Sequence, residues 1–320
     1  ESPLMEPELA ARYPDIKTYL LKGVDDPTSN GRMMISPSEF SAFFASLPNQ
    51  QEVIIRKILK SDATKYLSFW SKDNPASKDP IKCMRTDEMP SEPTENEGVQ
   101  RMMTGPNDTG DELRVFRMAM TVTGALSESY GWTTKAQALA AIVAFLGQIN
   151  TIYERDLSVR FVLIADEDKL IFLSDATDPF VLNGGDESGN ENVMIVDQLI
   201  GAGAFDVGLV FVTGGCCGSG GIGTICGSNK AFNFSGYNGL KVTAHEIGHQ
   251  FGAPHSWTRC NGKGSERFAN EYGSGTSIMG YANICGEDAN IFPVVNETYF
   301  GVYSQFLITS KINASKCYRT

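Results

Sequence analysis

Three histidines lie within eleven residues, and they are the only histidines in this 320-residue chain. They are His245, His249 and His255, in the string H-E-I-G-H-Q-F-G-A-P-H. On a helix, His245 and His249 lie on one face, one turn apart, where two neutral imidazoles can bind one Zn²⁺. The residue type and the spacing together predict a zinc site.

The residues between the histidines supply what a catalytic zinc site needs. Glu246 follows the first ligand and can take the proton from the attacking water and pass it to a leaving amine. Gly252 can adopt a positive φ, so the helix can end there and the chain can turn back to bring His255 in as a third ligand. Three protein ligands leave the fourth position for water, which is typical of a catalytic site.

Two other interpretations of the motif explain less of it. A chance H-E-x-x-H on an amphipathic helix accounts for the first five residues but not for Gly252 and His255. A thermolysin-like site takes its third ligand from a downstream glutamate, for which Glu266 and Glu271 are available. That interpretation also leaves Gly252 and His255 without a role.

A second motif, Ser277-Ile-Met-Gly-Tyr281, follows some two dozen residues after His255. With it, the sequence resembles the metzincin zinc endopeptidases, whose long zinc motif is followed by a methionine-containing turn below the metal. The resemblance implies that Met279 supports the histidines without binding zinc. It leaves Tyr281 open between a role at the zinc or the tetrahedral intermediate, as in astacin-like and serralysin-like enzymes, and no such role, as in adamalysin-like ones.

Further segments resemble the reprolysin-like, adamalysin-related secreted metallopeptidases, over roughly residues 110–320; they are 206–215, 223–231 and 273–282. The resemblance implies an α/β (α+β) fold: a metzincin-type catalytic domain with a mixed, mostly parallel sheet, a zinc helix and a Met-turn, preceded by a small N-terminal prodomain. The order of strand-like and helix-like segments agrees with that sheet. The resemblance also implies that 207–215 is an edge strand that pairs with the substrate backbone. The predicted substrate contacts there are Val207, Val210, Val212, Gly214 and Gly215.

The chain divides into three parts by composition and by the resemblance. Residues 1–85 resemble a propeptide-like domain, 86–112 have the polar composition of a linker or activation segment, and 113–320 form the predicted catalytic domain. Within that domain, apolar periodicity predicts strands over 113–123, 158–165 and 207–213. The same patterns predict helices over 134–153, 190–200, 240–251 and 297–311.

Six of the seven cysteines fall in the catalytic half, which predicts up to three disulfides and an oxidising compartment. The six are Cys216, Cys217, Cys226, Cys260, Cys285 and Cys317. We favour a Cys260–Cys285 pair, which would join the loop after His255 to the segment after the Met-turn. Cys317 would then pair with one of Cys216, Cys217 and Cys226, although spacing alone does not fix connectivity.

The seventh cysteine, Cys83, stands at the end of the N-terminal region. In many metzincin zymogens a thiolate ahead of the protease domain occupies the fourth zinc position, and Cys83 is a candidate for that switch in the latent form. The sequence around it departs from the family's known switch motifs. A free surface thiol and an extra disulfide are the alternatives.

Composition narrows the remaining possibilities. The net charge is −11 and the pI about 4.8, which argues against nucleic-acid and anionic-membrane partners. No apolar run approaches the ~20 residues that a membrane span needs. We therefore expect a secreted, monomeric zinc endopeptidase acting on protein or peptide substrates, with no membrane insertion and no signal peptide within this chain. It would carry one catalytic Zn²⁺; calcium is possible because related enzymes bind it, although no EF-hand pattern is present.

The alternative is a secreted zinc-containing binding or adhesion module without proteolytic activity. Such relatives usually lack the general base or a ligand, and this chain has both.

Overall fold

Two β-sheets and six helices make up the part of the protein that the structure, a computed structural model, describes. The described residues are 1–46, 51–59, 62–70, 73, 82–83, 112–181, 186–213, 217–257, 268–280 and 297–320.

The N-terminal region contains one short helix and a five-stranded antiparallel sheet in which chain neighbours pair in order. Asp26 shapes the turn between the first two strands, because its carboxylate accepts bonds from the Thr28 amide (3.0 Å) and the Ser29 hydroxyl (2.6 Å). The elements are α1 (Pro7–Arg12), β1 (Lys17–Lys22), β2 (Asn30–Ile35), β3 (Phe40–Ser46), β4 (Gln51–Leu59) and β5 (Asp62–Trp70).

The second sheet has six strands in the order β6-β10-β11-β9-β7-β8. All neighbouring strands run parallel except β10, which is antiparallel to β11. The predicted mixed, mostly parallel sheet is therefore confirmed. Its strands are β6 (Lys82–Cys83), β7 (Arg114–Val122), β8 (Val159–Leu163), β9 (Val207–Val212), β10 (Cys217–Gly220) and β11 (Asn233–Gly236).

Five helices accompany this sheet: α2 (Gly124–Tyr130), α3 (Lys135–Leu157), α4 (Asp186–Ile200), α5 (Leu240–Gln250) and α6 (Val302–Ser315). Thr134 begins α3 with a capping box, in which Thr134 and Gln137 bond each other's backbone amides. By length and composition α3 could cross a membrane, but 83% of its most apolar window is buried inside the fold, as in the core helix of a globular protein.

One large apolar core joins the six-stranded sheet, α3, α5 and α6. Phe116 of β7, Phe161 of β8 and Phe251 after α5 pack edge-to-face or tilted at its centre, with ring centroids 5.1–6.5 Å apart. Leu4 and Leu9 from the N-terminal region belong to the same core. The end of the helix that carries the histidines is thus held in the core by packed aromatic side chains.

The predicted bounds of three helices need correction. Helix α3 continues to Leu157 beyond the predicted 153, α4 begins at Asp186 instead of 190, and α6 runs from Val302 to Ser315 instead of 297–311. The prediction that 207–215 forms the sheet edge was wrong. Its strand, β9, has β7 on one side and β11 on the other, so its backbone groups are already paired.

A disulfide joins Cys226 to Cys317, 91 residues apart, and so ties the end of α6 to the loop after β10. This confirms that Cys317 pairs with a member of the predicted cysteine cluster. Cys217 is also in a disulfide. Cys216, Cys260 and Cys285, and with them the favoured Cys260–Cys285 pair, lie outside the described residues.

Candidate zinc site

Helix α5 carries His245, Glu246 and His249 in the interior, and every residue from 241 to 250 is buried. The helix ends at Gln250, and Gly252 follows with φ +93°, the left-handed conformation that the sequence predicts. The amide of Gly252 donates to the His249 carbonyl (2.8 Å), and the chain reverses direction there. This turn returns His255 to the face of α5 that carries the other two histidines.

The three imidazoles converge on one point. Their candidate ligand atoms all lie within 4.8 Å of one another, and the Nε2 atoms of His249 and His255 are 3.2 Å apart. Two nitrogens bound to a tetrahedral zinc at about 2.0–2.1 Å would lie roughly 3.4 Å apart. The donor set therefore fits Zn²⁺ in chemistry and in spacing.

Backbone carbonyls orient two of the rings. His245 Nδ1 lies 2.7 Å from the Ile278 carbonyl, and His249 Nδ1 lies 2.6 Å from the Ala253 carbonyl. A carbonyl can only accept, so each Nδ1 carries the proton and each Nε2 keeps its lone pair for a metal. Burial, with His255 nearby, lowers the pKa of His245 well below its usual value, which also favours the neutral, metal-binding form.

The Met-turn lies directly against α5. A Cβ on Gly248 would come within 2.7 Å of the Met279 sulfur, so this helix position has room only for glycine. The Met279 carbonyl accepts the Ser256 amide at 3.2 Å, next to His255. Met279 is buried below the histidines, as the sequence resemblance implies.

Glu271 joins the two segments that support the histidines, a role that the sequence did not indicate. Its carboxylate accepts the amides of Thr276 (3.0 Å) and Ser277 (2.9 Å) and the Ser277 hydroxyl (2.6 Å). It also accepts the Ser256 hydroxyl, beside His255. Glu271 is therefore part of the support for the Met-turn and lies outside the histidine group that could hold a metal, contrary to the thermolysin-like alternative. Glu266 lies outside the described residues.

Lys241 extends this support to the start of α5. Its ammonium donates to the Thr276 carbonyl at 2.9 Å, one residue before Ser277. Burial lowers the pKa of Lys241 to about 8, an effect that the charges of Glu271 and Glu297 oppose. No sequence pattern marks Lys241 or Glu271. Lys241 donates to a carbonyl 35 residues away, and Glu271 accepts from two amides of an irregular turn, five and six residues further on.

Strand β10 passes directly over Glu246. A Cβ on Gly218 would lie 2.5 Å from the Glu246 Cγ, and a Cβ on Gly220 would lie 2.3 Å from the Glu246 carbonyl oxygen. Only a glycine-rich strand can approach α5 this closely. The strand beside Glu246 is thus β10, not the interior strand that contains Val207, Val210 and Val212.

The last strand of the N-terminal region, β6, pairs with β10. In this parallel register Lys82 is opposite Cys217 and Cys83 is opposite Gly218, the residue that lies over Glu246. Of the other predicted site residues, Gly214, Gly215 and Tyr281 lie outside the described residues.

Comparison with protein families agrees with this geometry. The family model for metallo-peptidase family M12B, reprolysin-like, matches residues 112–306, more than half of the chain. The chain belongs to this family. The three-histidine cluster, which could hold a metal ion, lies within the residues that match this metallopeptidase family.

Other comparisons add little to this reprolysin-like assignment. No curated protein matches the chain. One similar solved structure is titled "Structure of a chaperone-substrate complex", with 12% identity and a TM-score of 0.38. The match covers 94% of this chain and 40% of that one, so this chain spans less than half the length of the matched protein.

The possible calcium site finds no support. Within the described ranges, the three histidines are the one group of at least three His, Cys, Asp or Glu side chains close enough to share a metal ion.

Proposed function

We propose that this protein is a secreted zinc endopeptidase in which Glu246 is the general base. The position of Glu246 carries the proposal. Glu246 is a buried residue of α5 that lies against the glycines of β10, and it directly follows the predicted zinc ligand His245 in the sequence. The Cys226–Cys317 disulfide supports an oxidising, extracellular setting.

When bound, Zn²⁺ supplies Lewis-acid chemistry, polarising the scissile carbonyl and acidifying the attacking water. The protein's own residues do the rest. Glu246 accepts the water proton and later delivers it to the leaving nitrogen. The carbonyls of Ile278 and Ala253 hold His245 and His249 in the tautomer that directs Nε2 to the metal. Tyr281 stays a candidate for stabilising the oxyanion.

We place the substrate along β10. On the side away from β11, β10 pairs with β6, which comes from the N-terminal region. A peptide that adds a strand to β10 would bring its scissile bond beside Gly218 and therefore beside Glu246. Backbone pairing of this kind tolerates many side chains, so the preference for particular residues would come from pockets beyond the strand.

The first test is Glu246→Ala in the chain cut within 84–111. We expect zinc content to stay at one ion per chain, since the three histidines remain, while peptide hydrolysis falls at least about 10³-fold. Glu187→Ala, at an exposed position of α4, is the control and should leave turnover unchanged. Substantial turnover by Glu246→Ala would reject the mechanism. Tight hydroxamate binding without cleavage of any peptide library by the cut wild type would favour the silent binding module instead.

We further propose that the intact chain is a latent zymogen held by Cys83. The register that sets Cys83 opposite Gly218 supports this, because it brings the backbone of the N-terminal region to the strand over Glu246. The test is Cys83→Ala in the uncut chain, which should become active without cleavage, because β6 is then held on β10 by two residue pairs alone and can give way to a peptide strand. If Cys83→Ala stays as inactive as wild type, the cysteine does not hold the zymogen latent.

A further inference from the structure

The first residues of the chain add a short stretch of strand to the far edge of the catalytic sheet. Met5 pairs with Leu163 at the end of β8 in a parallel bridge. The Glu6 amide donates to the Leu163 carbonyl, and the Leu163 amide donates to the Leu4 carbonyl, both at 2.8 Å. This edge lies on the opposite side of the sheet from β10.

The same segment fills the catalytic core. Leu4 is 1% exposed and Leu9 of α1 is fully buried, and both belong to the apolar core that contains β7, β8, α3 and α5. A Cβ placed on Gly147 of α3 would lie 3.8 Å from the Leu4 methyl group. Taking the segment away would open apolar core surface to water and leave the Leu163 amide on an open sheet edge.

Two charged side chains, Glu6 and Arg12, add polar contacts between the first residues and the catalytic half. The Glu6 carboxylate accepts the Ala165 amide (2.8 Å) and is paired with Arg319 at the C-terminus (3.1 Å). Arg12 of α1 makes a two-point contact with the Asp168 carboxylate, at 2.9 and 3.1 Å. These residues come from opposite ends of the sequence and meet around one sheet edge.

A further contact comes from the five-stranded sheet. Arg32 of β2, which is buried, forms an ion pair with Glu154 of α3, and Glu154 also accepts a bond from Arg160 of β8 at 2.7 Å. This charge-assisted contact joins the two regions and would be lost if they separated.

We propose that the N-terminal region remains bound after the linker is cut, so that the mature protein is a two-chain enzyme in which residues 2–16 are a permanent part of the catalytic core. The inference rests on the proposed activation by linker cleavage. It implies that activation frees β10 by local movement of β6, without departure of the whole N-terminal region.

The test uses the full chain with a site-specific protease site placed within 84–111, in a Cys83→Ser background. Cys83 is the only cysteine before residue 216, so no disulfide can then join the two pieces. After complete cutting, size-exclusion chromatography at micromolar concentration in native buffer should return both fragments in one peak. Two separate peaks would overturn the proposal. The readout needs no catalysis, so it is independent of whether Glu246 acts as the base.

A pair of variants tests whether residues 2–16 hold the N-terminal fragment on the catalytic fragment. Leu9→Asp places a charge in the core and should release the N-terminal fragment from the cut protein at lower urea than wild type. Val24→Asp, at a position 93% exposed, is the matched control and should behave as wild type. Release at the same urea concentration for Leu9→Asp and wild type would overturn the role of residues 2–16. If Leu9→Asp does not fold as the uncut chain, Glu6→Ala, which removes the bonds to Ala165 and Arg319, replaces it under the same criterion.

Discussion

Glu271 illustrates how one carboxylate can set the geometry of a metal site that it does not join. It bonds the residue after His255 and also the turn whose Ile278 carbonyl orients His245. Two of the three ligands are thus positioned through a single side chain.

We predict that Glu271→Ala weakens zinc binding by roughly 10–100-fold, because the amides of Thr276 and Ser277 lose their acceptor and the turn relaxes. Chelator competition on the folded protein measures the zinc affinity. Glu271→Gln is the matched control. Its carbonyl oxygen can still accept both amides, and the Ser256 and Ser277 hydroxyls can reverse their roles and accept from its amide group. Equal zinc affinity for the Ala variant and wild type would contradict this role.

At this scale the sequence predicted the three histidines, Glu246 and the supporting Met279, but not the charged side chains that hold the surrounding turns. His245, His249, His255 and Glu246 are recognisable because their spacing follows from helix geometry and zinc chemistry. Lys241 contacts the Thr276 carbonyl 35 residues away and Glu271 contacts the Thr276 amide five residues away, and neither contact follows the period of a helix or a strand.

Among the elements, β10 determines how close a substrate could come to Glu246. Its glycines allow the strand to lie against α5 without side chains in between. A peptide paired with this strand, as proposed, would lie one strand spacing from β10, the strand that covers Glu246.

We predict that Gly218→Ala lowers turnover at least about tenfold while zinc content stays unchanged, because the new methyl group would occupy the space of the Glu246 side chain. Gly203→Ala is the matched control, since a Cβ there meets nothing within 4 Å. Steady-state kinetics together with metal analysis separate the two effects. Full activity of Gly218→Ala would show that Glu246 does not need its present position.

The error about the edge strand has a physical explanation in composition. The segment Val207–Val212 is continuously apolar and buried on both faces, a pattern typical of an interior strand in a parallel sheet. The actual outer strand of the catalytic half, Cys217–Gly220, reads C-G-S-G and lacks any strand-like alternation. Its pairing follows from tertiary contacts with α5 and β11, which propensity does not predict.

For the molecule as a whole, the buried Glu167 links stability to pH. Glu167 is fully buried after β8, where its carboxylate accepts the Met120 amide at 2.9 Å. Desolvation raises the pKa of Glu167 well above its usual value. The folded state therefore binds this proton more tightly than the unfolded chain does.

The sign of the pH effect follows from linkage. Below the unfolded pKa of about 4.3, Glu167 is protonated in both states and costs nothing; as pH rises from there towards the folded pKa, its contribution becomes increasingly unfavourable. We predict that Glu167→Gln, neutral at every pH, is more stable than wild type at pH 8 and about equal to it at pH 4. Urea unfolding at both pH values measures the difference. Glu187→Gln, at an exposed position of α4, is the matched control for the charge change. A gain for Glu167→Gln that is the same at both pH values would disprove the assignment.

The overall class of fold was predictable, and the way its parts join was not. Alternating strand and helix patterns predicted the mixed sheet of the catalytic half. Nothing in the composition of residues 1–16 indicates that Leu4 and Leu9 pack in the same core as α3, because short apolar segments look alike wherever they are buried.

The pairing of Met5 with Leu163 also constrains the order in which this protein can fold. Met5 cannot complete this contact until more than 150 later residues have been made, and Val115 must likewise wait for Arg319. Contacts of such long sequence separation slow folding and leave strand edges exposed in the meantime. A chain released before its last residues would therefore have an unfinished sheet although its zinc motif is complete.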